Sequence, residues 1–421
     1  MNEQRNLLKA LGPGLLFAGA AIGVSHLVQS TRAGAVYGLA LIGFVILANI
    51  VKYPAFLIGN QYSAASGENL LVSYRRQGPL AIWLFVIATL LTMFAGCASI
   101  SITTAALAKS NFNLPYDSMT IVLGVWAIVG AILFFGQYRA LDLIVKLLLS
   151  FLTIATLAST AMILPRLPFD GLSSFMVDNY DRATILFIAA LVGWMPAPLD
   201  TSVWQSLWSQ ARSRVTSYVP SMREAAVDYN IGFIATTILA ICFVLMGAGV
   251  MHNANVTFEA GAVGFAAQII DLYEAALGKT AATIVGFAAL AVIFSTTLTA
   301  IDAWPRTLAA VALSMRGDEE GARAAHAIRH PYYWIAMLVL LAGSYVIISM
   351  MMNSFKTLID IATTVSFLMA PIFAFLNHRA MFGGIVPVDS RPGAVIHFWS
   401  MAGVVTLAVF ALAYLWFRFL S

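Results

Sequence analysis

The sequence predicts an all-α polytopic membrane protein of eleven transmembrane helices. The first and sixth are broken, and the spans form a five-plus-five inverted repeat with one helix appended. Three observations carry that prediction. The 421 residues are 61% hydrophobic and 10% charged, against roughly 25% charged in a soluble domain, and the mean hydropathy is +0.87. Apolar runs of about 20 residues, the length that crosses a bilayer, recur along the whole chain. Two of these runs contain residues that interrupt a helix at mid-span, and they lie five spans apart, the spacing of an inverted repeat.

The runs fall near 11–31, 38–62, 80–109, 118–136, 140–164, 183–209, 227–251, 280–314, 331–352, 355–376 and 394–420. The first is small and weakly helical from Gly19 and ends its flawed stretch in Gly23-Val24-Ser25-His26. A glycine costs about 1 kcal/mol against alanine inside a helix. The sixth contains Leu191 to Asp200, LVGWMPAPLD, where Pro196 and Pro198 each remove a donor and clash with the preceding turn. In lipid, a broken backbone persists only where protein or water covers its free polar groups. Two matched breaks therefore mark a buried site. The connection His252–Lys279 has room for a short amphipathic helix near Phe265–Leu277. No connection is long enough to separate domains, so residues 1–421 form one transmembrane domain, with repeats over about 11–164 and 183–376 and an extra helix at 394–420.

The formal net charge of +4 reflects loop asymmetry in a membrane protein and is no argument for nucleic acid. With the N-terminus inside, thirteen Lys and Arg fall in inner segments and seven in outer ones. The positive-inside rule then places the N-terminus in the cytoplasm and, with eleven spans, the C-terminus outside, in the cell membrane. The two cysteines, Cys97 and Cys242, both lie in apolar runs, so neither a disulfide framework nor redox chemistry is expected. The polar start runs directly into the first span, with no small-residue cleavage site for a signal peptide.

Several residue patterns resemble the NRAMP metal-transporter family, which has the leucine-transporter-like fold. Gly12-Pro13, Arg32-Ala33-Gly34-Ala35 and Tyr37-Gly38 match its first span, and Ala65-Ser66-Gly67 with Asn69-Leu70 its second-span exit. Met195-Pro196, Ser295-Thr296-Thr297 and Pro371 match its sixth, eighth and tenth spans. The resemblance covers about residues 8–376 and implies a secondary transporter working by alternating access. It fails at the chemistry. Where the family has Asp-Pro-Gly-Asn, this chain has Gly23-Val24-Ser25-His26, and after Met195-Pro196 the family's His-Asn is Ala197-Pro198. The third span offers Cys97, Ser99, Ser101, Thr103 and Thr104 but no carboxylate. The family's tenth-span glutamine aligns with Thr363.

The substrate site implied by this alignment is Gly23, Val24, Ser25, His26, Gly193, Met195, Pro196, Ala197, Thr363 and Thr364. One imidazole, one thioether and hydroxyls are poor ligands for a divalent transition metal and poorer for magnesium, so no metal site is expected. The N-terminus of the second half of a broken helix attracts anions. The expectation is a small anion, bicarbonate the specific member. Divalent metal (Mn or Mg), as in the parent family, and a small organic solute or amino acid are the alternatives.

His26 reads either as a substrate donor and pH-sensitive group or as a core histidine bonded to a carbonyl; Met195 reads as a vestigial ligand or as packing, with packing favoured. Asp200, just after the sixth-span break, and His26 are the candidates for proton coupling, because intramembrane ionisable groups are expensive. Asp302 is expected to pair with Arg306, Asp360 with Lys356, and Asp142 with Lys146, each pair at i,i+4 spacing. Lys52 either lends positive charge to an anion path or snorkels, and snorkelling is favoured. His326 and His330 read as a solvated loop, and Asn255-Val256-Thr257 is a weak glycosylation match. A membrane-embedded enzyme would need clustered catalytic groups, and a channel repeated pore loops; neither pattern is visible. No cofactor is expected, and the partners are a small solute or ion and the bilayer, with the chain a monomer.

Overall fold

A computed structural model of the chain describes residues 12–419 apart from 136–137, 168, 170, 178, 253, 255, 257–258, 260, 319–329 and 352–353, and gives no side-chain placement for 138–146, 148 and 215. The first span is α1 (Pro13–Ala21), a π-helical turn (Ser25–Ser30) and α2 (Thr31–Tyr37). There follow α3 (Ile42–Ser66), the short α4 (Leu70–Arg76), α5 (Pro79–Phe112), α6 (Ser118–Phe135) and α7 (Tyr138–Ile163). The sixth span is α8 (Arg182–Gly193) and α9 (Thr201–Thr216). Next come α10 (Met222–Met246), α11 (Ala262–Leu277), α12 (Lys279–Met315), α13 (Pro331–Met351), α14 (Phe355–Phe382) and α15 (Ala394–Phe419).

Among the described residues, nine helices are long and apolar enough to cross a membrane, and the pair Pro13–Ala21 and Ser25–Tyr37, bent by 47°, makes a tenth. The chain is an integral membrane protein. The sixth expected span does not pass that test, because its second half, α9, is polar (TSVWQSLWSQARSRVT). The protein hides this polarity instead: Thr201, Ser202, Gln205, Ser206, Ser209 and Gln210 are all buried. Helix α11 confirms the expected amphipathic segment and starts three residues earlier.

Local signals explain where helices start and stop. Gly67 ends α3 in the left-handed conformation, φ 71°, which glycine adopts without a Cβ penalty. Asn69 caps α4 through bonds from the N–H groups of Leu71 and Val72, Asp181 caps α8, and Ser221 with Glu224 forms a capping box on α10. The exposed Asp117 accepts from Thr120, which holds its carboxyl below the usual carboxylate range.

The helices sort into two groups. α1, α3, α9 and α10 pack on one another, as do α5, α12 and α13, while α14 touches α5 in one group and α8 near the other. At the N-terminal face α1 is held by α10. The Asp228 carboxylate accepts the N–H groups of Gly12 (2.9 Å) and Gly14 (2.7 Å), and Asn60 donates to it at 3.3 Å. The backbones approach so closely there that a Cβ on Gly14 would meet the Asp228 carbonyl, and one on Gly232 the Gly14 carbonyl.

The structure differs from two expectations. Asp360 does not pair with Lys356, which is exposed; it takes a bidentate bond from Arg32 of α2, at 2.6 and 3.1 Å. A planar guanidinium matches a carboxylate with two parallel bonds, which a lysine cannot do. Lys52 does not snorkel: it is fully buried, and its ammonium donates to Val192 O (2.6 Å) and Gly193 O (2.8 Å). Asp302 does pair with Arg306, at 2.7 Å, and also accepts from Tyr333. The Asp142–Lys146, His326–His330 and Asn255–Thr257 patterns fall wholly or partly outside the described residues.

Candidate functional site

The two breaks meet at mid-molecule. In the first, α1 stops at Ala21, and the Gly23 carbonyl accepts from the N–H groups of His26 (3.2 Å) and Leu27 (2.9 Å). The chain then resumes as a π-helical turn, a form that collects at functional positions. Two of the N–H groups expected to face a ligand are therefore already bonded within the chain. Thr296 of α12 ties this bend down: its hydroxyl lies 3.1 Å from Gly19 O, 3.4 Å from Ile22 O and 3.2 Å from Val292 O.

In the second break, α8 ends at Gly193 and α9 starts at Thr201, with a cis peptide between Met195 and Pro196. The half-helix ends facing the gap carry opposite partial charges, negative at the end of α8 and positive at the start of α9. Lys52 bonds the first, and Asp200 precedes the second. Each formal charge offsets the dipole end it adjoins.

Ser25 bridges the two breaks. Its hydroxyl lies 3.3 Å from Pro196 O, 2.7 Å from Ala21 O and 2.8 Å from His26 Nδ1. His26 Nε2 lies 2.9 Å from Thr236 O; a carbonyl only accepts, so Nε2 carries a hydrogen. Both ring nitrogens are thus engaged within the protein. Gly23, Val24, Ser25, His26, Pro196 and Ala197 are buried at this crossing. Met195 is fully enclosed in an apolar cluster with Ala33, Leu191 and Phe367. Gly193 lies directly against the Thr363 carbonyl. Thr364 is the outlier, half-buried and one position round the helix from Thr363.

Between the breaks is a cavity of about 30 Å³, lined by Ala21, Val24, Trp194, Pro198, Thr201, Trp204, Thr296 and Trp304 among others. It has room for about one water. Trp304 donates its indole N–H to Asp200 Oδ2 at 2.9 Å, and Trp194 donates to Ser366 at 2.7 Å. The other Asp200 oxygen is buried without a hydrogen-bond partner. These aromatic walls were missed from the sequence. Their signal was present in Trp204 beside Gln205, Trp304 beside Pro305 and Trp194 two residues before Pro196, all inside apolar runs.

Away from the N-terminal face, the Arg32–Asp360 pair closes over Thr363. Gln29 donates to Thr363 (3.3 Å), and the Arg32 guanidinium lies 4.4 Å from the Phe187 ring centre. This latch joins α2, α8 and α14. Asp360 is about a third exposed, so the pair is worth no more than about 1 kcal/mol. Asp360→Asn is expected to loosen that face by up to fivefold, read as faster labelling of a cysteine placed at Thr363 by a membrane-impermeant maleimide.

No family model matches the chain. An uncharacterised protein of Pasteurella multocida is 33% identical over 409 residues, covering 96% of this chain and 92% of its own. The divalent metal cation transporter MntH of Yersinia enterocolitica is 23% identical over 398 residues, 91% and 90% of the two chains. The crystal structure of the Eremococcus coleocola manganese transporter superposes with a TM-score of 0.71 at 16% identity, over 98% of this chain and 87% of that one. MhsT in complex with L-phenylalanine gives 0.63 at 13% identity, over 97% and 98%. The span order and two central breaks therefore belong to the leucine-transporter-like fold, and the chain is a remote homologue of the MntH/NRAMP manganese transporters.

Proposed function

We propose that the protein carries a small monovalent anion, with bicarbonate the specific candidate, by alternating access about the crossing of the two breaks. The observation that supports this reading is the charge at the sixth-span break. A fully buried ammonium, Lys52, sits on the carbonyls that end α8, and glycine stands at position 23, where the metal-binding relatives' motif has aspartate. The only carboxylate beside that break among the described residues, Asp200, is bonded to Trp304 and does not line the cavity. A divalent cation entering here meets the Lys52 amine on those carbonyls and no carboxylate ligand.

The assigned substrate positions are Gly23, Val24, Ser25, His26, Gly193, Met195, Pro196, Ala197, Thr363 and Thr364. Ser25 and Thr363 supply hydroxyls, His26 an imidazole held between Ser25 and the Thr236 carbonyl, and Met195 shape. Asp200, with one buried oxygen lacking a hydrogen-bond partner, is the candidate for a coupled proton, alongside His26. The reading places one monomeric domain, with repeats over 11–164 and 183–376, in the cell membrane, its N-terminus cytoplasmic and C-terminus outside. A specific observation favours a second reading, a small organic solute: the cavity walls are mainly three tryptophans and aliphatic side chains, with Thr201 and Thr296 as the polar exceptions.

Proteoliposome uptake of Mn²⁺, Mg²⁺, bicarbonate and amino acids, each with and without a pH gradient, tests the proposal. Saturable bicarbonate uptake above all three others is the expected result. Mn²⁺ uptake running ahead of anion uptake defeats it, and amino-acid uptake ahead of both selects the second reading.

A further inference from the structure

The environment of Lys52 has a consequence for selectivity. Its Nζ lies 2.6 Å from Val192 O and 2.8 Å from Gly193 O, the last carbonyls of α8. Both carbonyls sit where the sixth span breaks, and the next residue, Trp194, lines the cavity. Carbonyls at an interrupted intramembrane helix end form a natural cation site, because they carry the negative end of the helix dipole; Val192 O also accepts the Met195 N–H at 3.3 Å. Here that site is filled by the chain itself.

No carboxylate among the described residues lies within ion-pair distance of Lys52. The other buried charges are engaged elsewhere: Arg32 with Asp360, Arg306 with Asp302, Asp228 with the start of α1, and Asp200 with Trp304. A charge buried in protein is screened far less than an exposed one. Such an arrangement is costly in a bilayer. A plain helix cap does not need it, since hydroxyls and amides satisfy carbonyls at lower cost.

We propose that Lys52 is the specificity-determining residue of this transporter: its ammonium occupies the carbonyl pair at the end of α8, closing the break to metal cations and biasing it toward monovalent anions. The inference rests on the anion reading given above and adds the residue that enforces it. Lys52 acts through the field and by filling the cradle, and it does not touch the substrate.

The test separates charge from hydrogen bonding. Lys52→Gln keeps a donor for the two carbonyls and removes the charge; Lys52→Met removes both; Lys52→Arg keeps both. Bicarbonate and Mn²⁺ uptake are measured in parallel for each variant and for the wild type in the same vesicles. The bicarbonate-to-Mn²⁺ ratio is expected to fall at least tenfold in the Gln and Met variants and to stay within threefold of wild type in the Arg variant. If either neutral variant keeps the wild-type ratio, the ammonium is only a cap and the inference is overturned. The same follows if a folded Arg variant loses selectivity as the neutral ones do. Absence of bicarbonate uptake by the wild type overturns the functional reading instead, so the two failures are distinguishable.

Discussion

Asp228→Asn is expected to cut transport by at least tenfold and to open the N-terminal face of the protein. The Asp228 carboxylate accepts two backbone N–H groups at the start of α1, and Asn60 steadies it from α3. An anion at a helix N-terminus also meets the positive end of the dipole. The amide keeps one acceptor and turns a donor toward the other N–H, losing a charge-assisted bond worth about 2 kcal/mol, or on the order of thirtyfold in a two-state ratio. The measurement is labelling of a cysteine placed at Ala18 by a membrane-impermeant maleimide, in vesicles where that face is accessible. Labelling should accelerate in the Asn variant and not in the parent. An unchanged rate with normal transport means that Asp228 only packs α1.

Gly193→Ala should be the most damaging single-carbon change at the site. The added methyl would run into the Thr363 carbonyl and crowd Phe367, and both neighbours belong to the rigid α14. Overpacking of this kind costs about 1–3 kcal/mol even where side chains give way, and here backbone must move. The shift falls on the two carbonyls that hold Lys52. Uptake is expected to be lost, with the melting temperature of purified protein lowered by several degrees. Wild-type uptake in this variant would show that α8 and α14 separate freely during the cycle.

Residues that act along the chain were readable in advance; residues that act across it were not. The spans follow from apolar length, and the first break from Gly23 and the weak helix before it. Asp302 and Arg306 are one helical turn apart, and the pair forms as spacing suggests. The same rule misassigned Asp360, whose partner Arg32 lies 328 residues away. Lys52 looked like a snorkelling residue because its partners are 140 and 141 positions distant. Asp228 carried no sequence signal of its role, since nothing nearby in the chain reveals that α1 begins against it. The cavity was hidden for a similar reason: its walls come from the first, third, sixth and eighth spans. The polar face of α9 reads as a poor membrane span, and only its enclosure by neighbouring helices accounts for it.

The proposed anion site predicts that manganese does not bind at the crossing of the two breaks. Protein purified in detergent, equilibrated with Mn²⁺ and crystallised, should show no anomalous manganese peak within bonding distance of Ser25, Pro196 or Met195. A dehydrated manganese held directly by Ser25 and Met195 would contradict it.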